Sequence, residues 1–200
     1  MFSKEDMNSE RKIQWPVSIF LVTYHLLLAI GVPLYLMSRS PSSGLLIFSA
    51  VLVFLSGLGV TAGYHRLMSH CAYKTNRAVE AVLLFFASVA TQGSALRWCY
   101  DHRLHHAHVD TDQDPYSVKK GFWHAHFIWM FFRTQKIDTK VVSDLVRSPL
   151  IRFQHRFYAL CFLVSNLSVI ALAGFLFGDW WGAFLWAGLA RLFTLHHLTW

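Results

Sequence analysis

The chain has 200 residues, 54% of them apolar and only 14% charged, against about 25% charged in an ordinary soluble domain. Seventeen Phe and eight Trp are more bulk than a soluble core of this size hides, and the scarcity of charge excludes disorder. The net charge of +7 is segregated from long uncharged stretches rather than spread over a soluble surface. That excludes a nucleic-acid-binding domain and points to an all-α integral membrane protein.

Taken in chain order, residues 1–14 are too polar for a secretory leader, so the first apolar run is expected to be retained. Runs at about 17–37, 45–63, 157–178 and 180–200 approach the roughly 20 residues that a membrane-crossing helix needs. The first three contain no Asp, Glu, Lys or Arg, and the fourth contains only Arg191. Lys4, Arg11 and Lys12 precede the first run, and Arg39 is the only base in the turn after it. Thirteen of the eighteen Lys and Arg lie between Tyr64 and Arg156. The positive-inside rule therefore places the N-terminus and the 64–156 region in the cytoplasm. Residues 81–96 are apolar too, but a fifth crossing there would put the bilayer between the two histidine clusters. That stretch is expected to lie in, or dip into, the cytoplasmic face. The fold predicted is four transmembrane helices with a cytoplasmic helical cap, in one domain over 1–200.

Twelve histidines stand out, most of them clustered. His25, alone in the first run, reads as an isolated polar group. His65 and His70 close the second run, and His102, His105 and His106 follow Asp101. Positions i, i+3 and i+4 share a helix face, so the second cluster can converge. The i, i+5 spacing of the first cannot do so on a regular α-helix, and works if the helix ends between the two and the chain turns. Imidazole suits Zn, Cu, Ni and Fe, and Asp101, Asp110, Asp112 and Asp114 are near enough in sequence to orient the rings. The Asp110, Asp112, Asp114 series imitates an EF-hand. Pro115 and Gly121 stand where that loop needs Gly and Glu, so calcium is rejected. Cys71, Cys99 and Cys161 are too scattered for a disulfide framework or a thiolate zinc site. His-Glu-x-x-His and Glu-x-x-His are absent.

The strings GYHRLMSH (63–70) and RWCYDHRLHHAHVDTDQDPYSVKKGFWHAH (97–126) resemble the membrane-bound acyl-CoA desaturases of the delta-9, or stearoyl-CoA, type. The resemblance covers nearly the whole chain. It implies two non-haem irons held by His65, His70, His102, His105 and His106, with O₂ used to place a cis double bond in a saturated fatty acyl chain. It also implies a separate electron donor of the cytochrome b5, ferredoxin or rubredoxin type. The setting implied is a bacterial inner membrane or the endoplasmic reticulum. By position, Trp98 matches a tunnel-lining Trp, and Asp101 and Trp200 match residues near the substrate. Lys119 and Lys120 match a basic pair facing the acyl carrier's phosphates, although a solvated positive loop explains them equally well. The carrier itself, CoA, a carrier protein or a glycerolipid, stays open, and Tyr100 stands where eukaryotic relatives carry Arg.

The family pattern continues through N-S-x-x-H and H-N-x-H-H, which do not occur in these 200 residues. His196 and His197 do not form the last box, since Phe193 stands where its first His would be. Five ligands are fewer than two irons need, so this chain alone is expected to bind iron weakly and to lack turnover. Two other readings stay open: a non-catalytic metal- or haem-binding membrane protein, and a sister alkane or lipid hydroxylase.

Overall fold

The computed structural model describes residues 12–132 and 135–200, and it is helical throughout with no strand among those residues. Lys4 and Arg11 lie outside the described residues. α1 spans Trp15–Ser38, and α2 spans Ser43–Ser69. α3 is Arg77–Ala90 and α4 is Ala95–Ala107. The short helices α5 (Phe122–His126), α6 (Ser143–Val146) and α7 (Pro149–Arg156) follow. α8 is Tyr158–Phe177, and α9 covers 180–199. Local chemistry sets these ends. Ser42, Asn76, Ser94 and Ser148 each accept a backbone N–H of the first turn they open. α8 stops at Gly178, whose φ of +64° glycine adopts without steric cost.

α1, α2 and α8 are long and apolar enough to cross a membrane. The burial pattern supports that reading, because it inverts the soluble one. Ser49, Ser56, Ser165 and Asn166 face inward, while Ile30, Ile47, Phe54, Leu167 and Phe175 are exposed. An aqueous surface would not tolerate that much contiguous Leu, Ile and Phe. α9, the fourth span expected, does not reach the same apolar standard, because it carries Arg191, His196 and His197. It still packs against α1, α2 and α8.

Those polar groups turn inward. Arg191 is 1% exposed and donates to the carbonyls of Val89 (2.7 Å) and Ala187 (2.8 Å) and to Asn166 Oδ1 (2.6 Å). His196 is fully buried, with Nε2 2.9 Å from the Ala90 carbonyl and Nδ1 3.1 Å from the Tyr24 hydroxyl. Val89 and Ala90 are the last residues of α3. Their carbonyls have no partner within the helix and would cost roughly 1–3 kcal/mol each if buried unpaired. Arg191 and His196 thus dock the end of α3 onto α9.

Residues 81–96 do not form one rod. α3 ends at Ala90, Thr91 takes a left-handed conformation, and α4 departs at 81°. With 14 residues, α3 is about 21 Å long, shorter than a hydrocarbon core of about 30 Å. α3 runs against the second half of α2, and the approach is close at one point. A Cβ on Gly59 would sit 2.4 Å from the backbone nitrogen of Ala87. Gly59→Leu should therefore force the two helices apart, costing roughly 1–3 kcal/mol. A lower thermal unfolding midpoint in detergent is the expected outcome, and an unchanged midpoint would mean the crossing is not tight.

Candidate metal centre

The two histidine clusters meet, and the first does so by a route the spacing alone did not reveal. α2 ends at Ser69, one residue short of His70, so the helix does end between the two histidines, but its last stretch is not α-helical. From Gly59 to Ser69 it is wound as a π-helix, with backbone bonds from residue i+5 to residue i. The amide of His70 bonds to the carbonyl of His65 at 3.0 Å, continuing that pattern. The wider winding stacks positions five apart and leaves the two rings 4.5 Å apart between centroids.

α4 supplies the second half, because it packs on this wide-wound end of α2 and on α7. Arg103, inside the second cluster, fastens the two together. It donates to the carbonyls of Met68 (2.7 Å), Ser69 (3.1 Å) and Val141 (2.7 Å), and forms a bidentate pair with Asp144 at 2.8 Å. That guanidinium holds the Asp144 carboxyl below its ordinary range. Sequence reading passed over Arg103, since nothing in a single basic residue between histidines signals a brace across three segments.

Four ring nitrogens, from His65, His70, His102 and His106, lie within 4.8 Å of one another. His102 Nε2 is 3.0 Å from His70 Nε2 and 3.1 Å from His106 Nε2. A ring nitrogen holds either one hydrogen or one lone pair, so His102 Nε2 closes one of the two contacts by a hydrogen bond and not both. A first-row cation about 2.1 Å from each nitrogen would leave neighbouring donors about 3 Å apart, which is the spacing here. The donor set fits a borderline transition metal such as iron.

Burial, and then the adjoining imidazoles of His106, His65, His70 and His105, pushes His102 down to about 3 from its ordinary 6.5. Burial, with His70 and His105 beside it, lowers His106 as well. Both rings are thus neutral, the ligating form, at physiological pH, and protons compete with a metal only as the pH falls toward the lowered values. Cobalt(II) bound to the cluster should remain half-loaded at least about one pH unit below 6.5, read from its visible absorption. A release midpoint at or above 6.5 would contradict this assignment.

His105 does not join the four. Its Nδ1 lies 3.0 Å from both oxygens of the buried Asp114, and Tyr116 stacks on the ring at 4.5 Å. Burial raises Asp114, but hydrogen bonds from His105 and from the backbone N–H of Asp110 and Tyr116 outweigh it and hold the carboxyl below its ordinary value. The ionised carboxylate therefore keeps a proton on Nδ1 and leaves Nε2 as the free donor.

The five expected substrate residues fall into three places. Trp98 stacks on His102 with centroids 4.8 Å apart. Its indole N–H donates to Gln92 Oε1 (3.3 Å), and Gln92 in turn donates to Thr199 Oγ1 (2.6 Å). This polar bracket couples Trp98 to the residue beside Trp200, and no motif announced Gln92 or Thr199. Trp200 stacks on His196 at 4.3 Å. Asp101 is buried and held by Arg97 in a two-pronged ion pair. Burial raises its carboxyl, opposed by that guanidinium. Lys119 and Lys120 are exposed, on a short turn just after Asp114. A cavity of about 400 Å³ opens elsewhere, between α1, α8 and α9, lined by Phe20, Thr23, Phe162, Asn166 and Leu189, and no histidine lines it.

A membrane-embedded helical protein that gathers imidazoles at one end of its bundle defines a class of metalloprotein, and the comparisons with known proteins specify it. The fatty acid desaturase family profile matches residues 41–200. The chain is 41% identical over 182 residues to a probable acyl-CoA desaturase of Schizosaccharomyces pombe, covering 88% of this chain and 38% of that protein. It is 32% identical to acyl-CoA desaturase 1 of Saccharomyces cerevisiae, covering 90% and 34%. It is 28% identical to the sn-1 stearoyl-lipid 9-desaturase of Anabaena variabilis, covering 96% and 68%. The chain belongs to the fatty acid desaturase family, and it spans less than two fifths of the length of the two yeast relatives.

Proposed function

We propose that this protein serves an O₂-dependent, non-haem di-iron desaturase that introduces a cis double bond at the delta-9 position of a saturated fatty acyl chain carried on CoA. The observation that carries this reading is the convergence of four imidazole nitrogens on one point. Overall, two hydrogens leave the acyl chain and O₂ is reduced to two waters, with two electrons and two protons from outside. Iron held by these histidines supplies the activation of O₂ that cleavage of an unactivated C–H bond requires.

The chain's own residues do the rest. His65, His70, His102 and His106 hold one ion, and His105, turned by Asp114, offers its Nε2 to the second. Arg103 keeps the two helices in register. Trp98, against His102, forms an aromatic wall for the acyl chain, with Trp200 and Asp101 as further substrate contacts. Lys119 and Lys120 face the carrier's phosphates. Electrons arrive from a small donor protein of the cytochrome b5, ferredoxin or rubredoxin type, docking on the cytoplasmic face of a bacterial inner membrane or endoplasmic reticulum. The relatives, acyl-CoA desaturases and a stearoyl-lipid desaturase, agree on a fatty acyl chain; the exposed basic pair favours CoA.

Expression in a strain without delta-9 desaturation tests this, with a C-terminal desaturase segment carrying N-S-x-x-H and H-N-x-H-H supplied to complete the family's ligand set. Gas chromatography should show delta-9 monounsaturated acyl chains, lost in His102→Ala. Iron bound without unsaturated product would favour a non-catalytic metal protein, and a hydroxylated product a hydroxylase. Sidedness has its own test. Cys71 is exposed beside His70, and Val118 is exposed next to Lys119. Cys71 and a Val118→Cys variant should react with an impermeant maleimide only from the cytoplasmic side. Labelling from the opposite side would overturn the topology.

A further inference from the structure

We propose that His197 is a proton-binding site, and that its imidazolium, held between His25 and His126, clamps residues 122–131 onto α1 and α9. The inference is independent of the desaturase reading. It corrects the expectation that His25 is an isolated polar group.

The argument is a count of hydrogens. His25 Nδ1 is 2.7 Å from the carbonyl of Leu21, and His126 Nδ1 is 3.1 Å from the backbone oxygen of Trp200. Such oxygens only accept, so both Nδ1 atoms carry the hydrogen, and in each neutral ring Nε2 is left as a lone pair. Those two lone pairs face His197 from either side. His25 Nε2 is 3.1 Å from His197 Nε2, and His126 Nε2 is 3.2 Å from His197 Nδ1. A neutral His197 has one hydrogen to give and satisfies one of them; one further proton on the relay closes both, and the aromatic faces gathered around His197 are what assign that proton to the central ring. The adjacent His196 makes the contrast. With a carbonyl on one side and a hydroxyl able to donate on the other, its contacts close with a neutral ring.

The surroundings suit a cation. Phe193 packs on His197 at 4.4 Å, Trp200 at 5.6 Å, and Phe127 lies nearly parallel to it at 6.2 Å. Aromatic faces within about 6 Å stabilise such a charge. Phe122 stacks on His126, and Tyr24 on His25. The other titratable groups facing the chain of rings are Tyr24 on α1 and His196 on α9, and Arg191 lies beyond them beside His196. No Asp or Glu is hydrogen-bonded to any of the three rings among the described residues. Burial opposes the added proton, so uptake belongs on the acid side of neutrality. A shared metal ion is a poor alternative, since the lone pairs of His25 and His126 address opposite edges of His197 rather than a common point.

The three rings come from three separate pieces of chain, α1, α5 and α9. The 122–131 segment follows the basic pair directly, and it also touches the stretch before α1, where the amide of Gln14 bonds to the carbonyl of Phe131 at 2.8 Å. With His197 protonated all four hydrogen bonds of the relay form; without the proton one is lost, and the segment is held less firmly.

Histidine-selective ¹⁵N NMR of the protein in lipid bilayers, between about pH 5 and 8, tests the count. In acid, one ring should show both nitrogens protonated, and that signal should vanish in His197→Gln. In His126→Gln, which replaces the imidazole lone pair by a less basic amide oxygen, its midpoint should fall by about one pH unit, a tenfold weaker proton affinity. Hydrogen exchange of residues 122–131, corrected for intrinsic rates, should slow on acidification in the native protein and lose that dependence in His25→Gln. His25→Gln and His126→Gln keep the test open if His197→Gln does not fold. A His197 ring with one bare nitrogen throughout the range would overturn the proposal, as would an imidazolium signal that survives His197→Gln, or zinc binding at these three rings.

Discussion

The wide turn at the end of α2 is the constraint on which the rest of the site depends. Over Gly59–Ser69 each backbone bond spans five residues rather than four. Two consequences follow from that one change. Residues five apart, His65 and His70, come onto one face. The helix also stays helical as far as Ser69, so the histidines project from a continuation of an apolar rod rather than from a loose loop. A stretch of π-winding gives up the tighter packing of an α-helix, and such stretches persist mainly where function uses the altered direction of side chains. Here the neighbours hold it in place. Ser69 Oγ bonds back to the Tyr64 carbonyl at 2.9 Å, and the Tyr64 hydroxyl receives Gln154 Nε2 at 2.7 Å. Gly59, at its start, lets α3 lie close against it.

From there the positions of the remaining parts are linked. α3 runs beside α2 and must stop before the metal centre so that α4 can turn back over it. Its exposed end would leave buried carbonyls unpaired. Arg191 and His196 satisfy two of them, and Asn166, which receives Arg191, also donates to the Ser88 carbonyl at 3.3 Å. Polar residues in the apolar interior therefore serve a specific end. They lock the bend between α3 and α4, and the direction of α4 decides where His102 and His106 point. A change on α9 could disturb the histidine cluster without touching it.

Much of this was legible in the sequence, and the exceptions have physical reasons. Apolar runs are local properties, so α1, α2 and α8 could be read directly, and the pair of histidine clusters pointed to the group of four imidazoles that the structure brings together. The way the first cluster converges could not be read, because spacing five excludes an α-helical face but does not distinguish a terminated helix from a widened one. The grouping of His105 with the other four was similarly underdetermined. Positions i+3 and i+4 both face one side of α4, yet Asp114, nine residues on, turns His105 away. Gln92 and Thr199 are 107 residues apart, and His25 and His197 are 172 apart. No periodicity relates such pairs; only the packing of α9 against α1 and α3 does.

The two histidine groups in this protein differ as a candidate metal centre and the proposed proton site should when both are built from the same side chain. In the first, three Nε2 atoms confront one another around His102, and no distribution of protons satisfies the contacts. Only a cation larger than a proton, sitting between all of them, removes the conflict. In the second, the rings stand in series. Each nitrogen of His25, His126 and His197 has one partner, the outer two partners are backbone oxygens, and the deficit is one hydrogen. Adding that hydrogen completes the series without moving a ring. Convergent lone pairs call for a metal, serial ones for a proton.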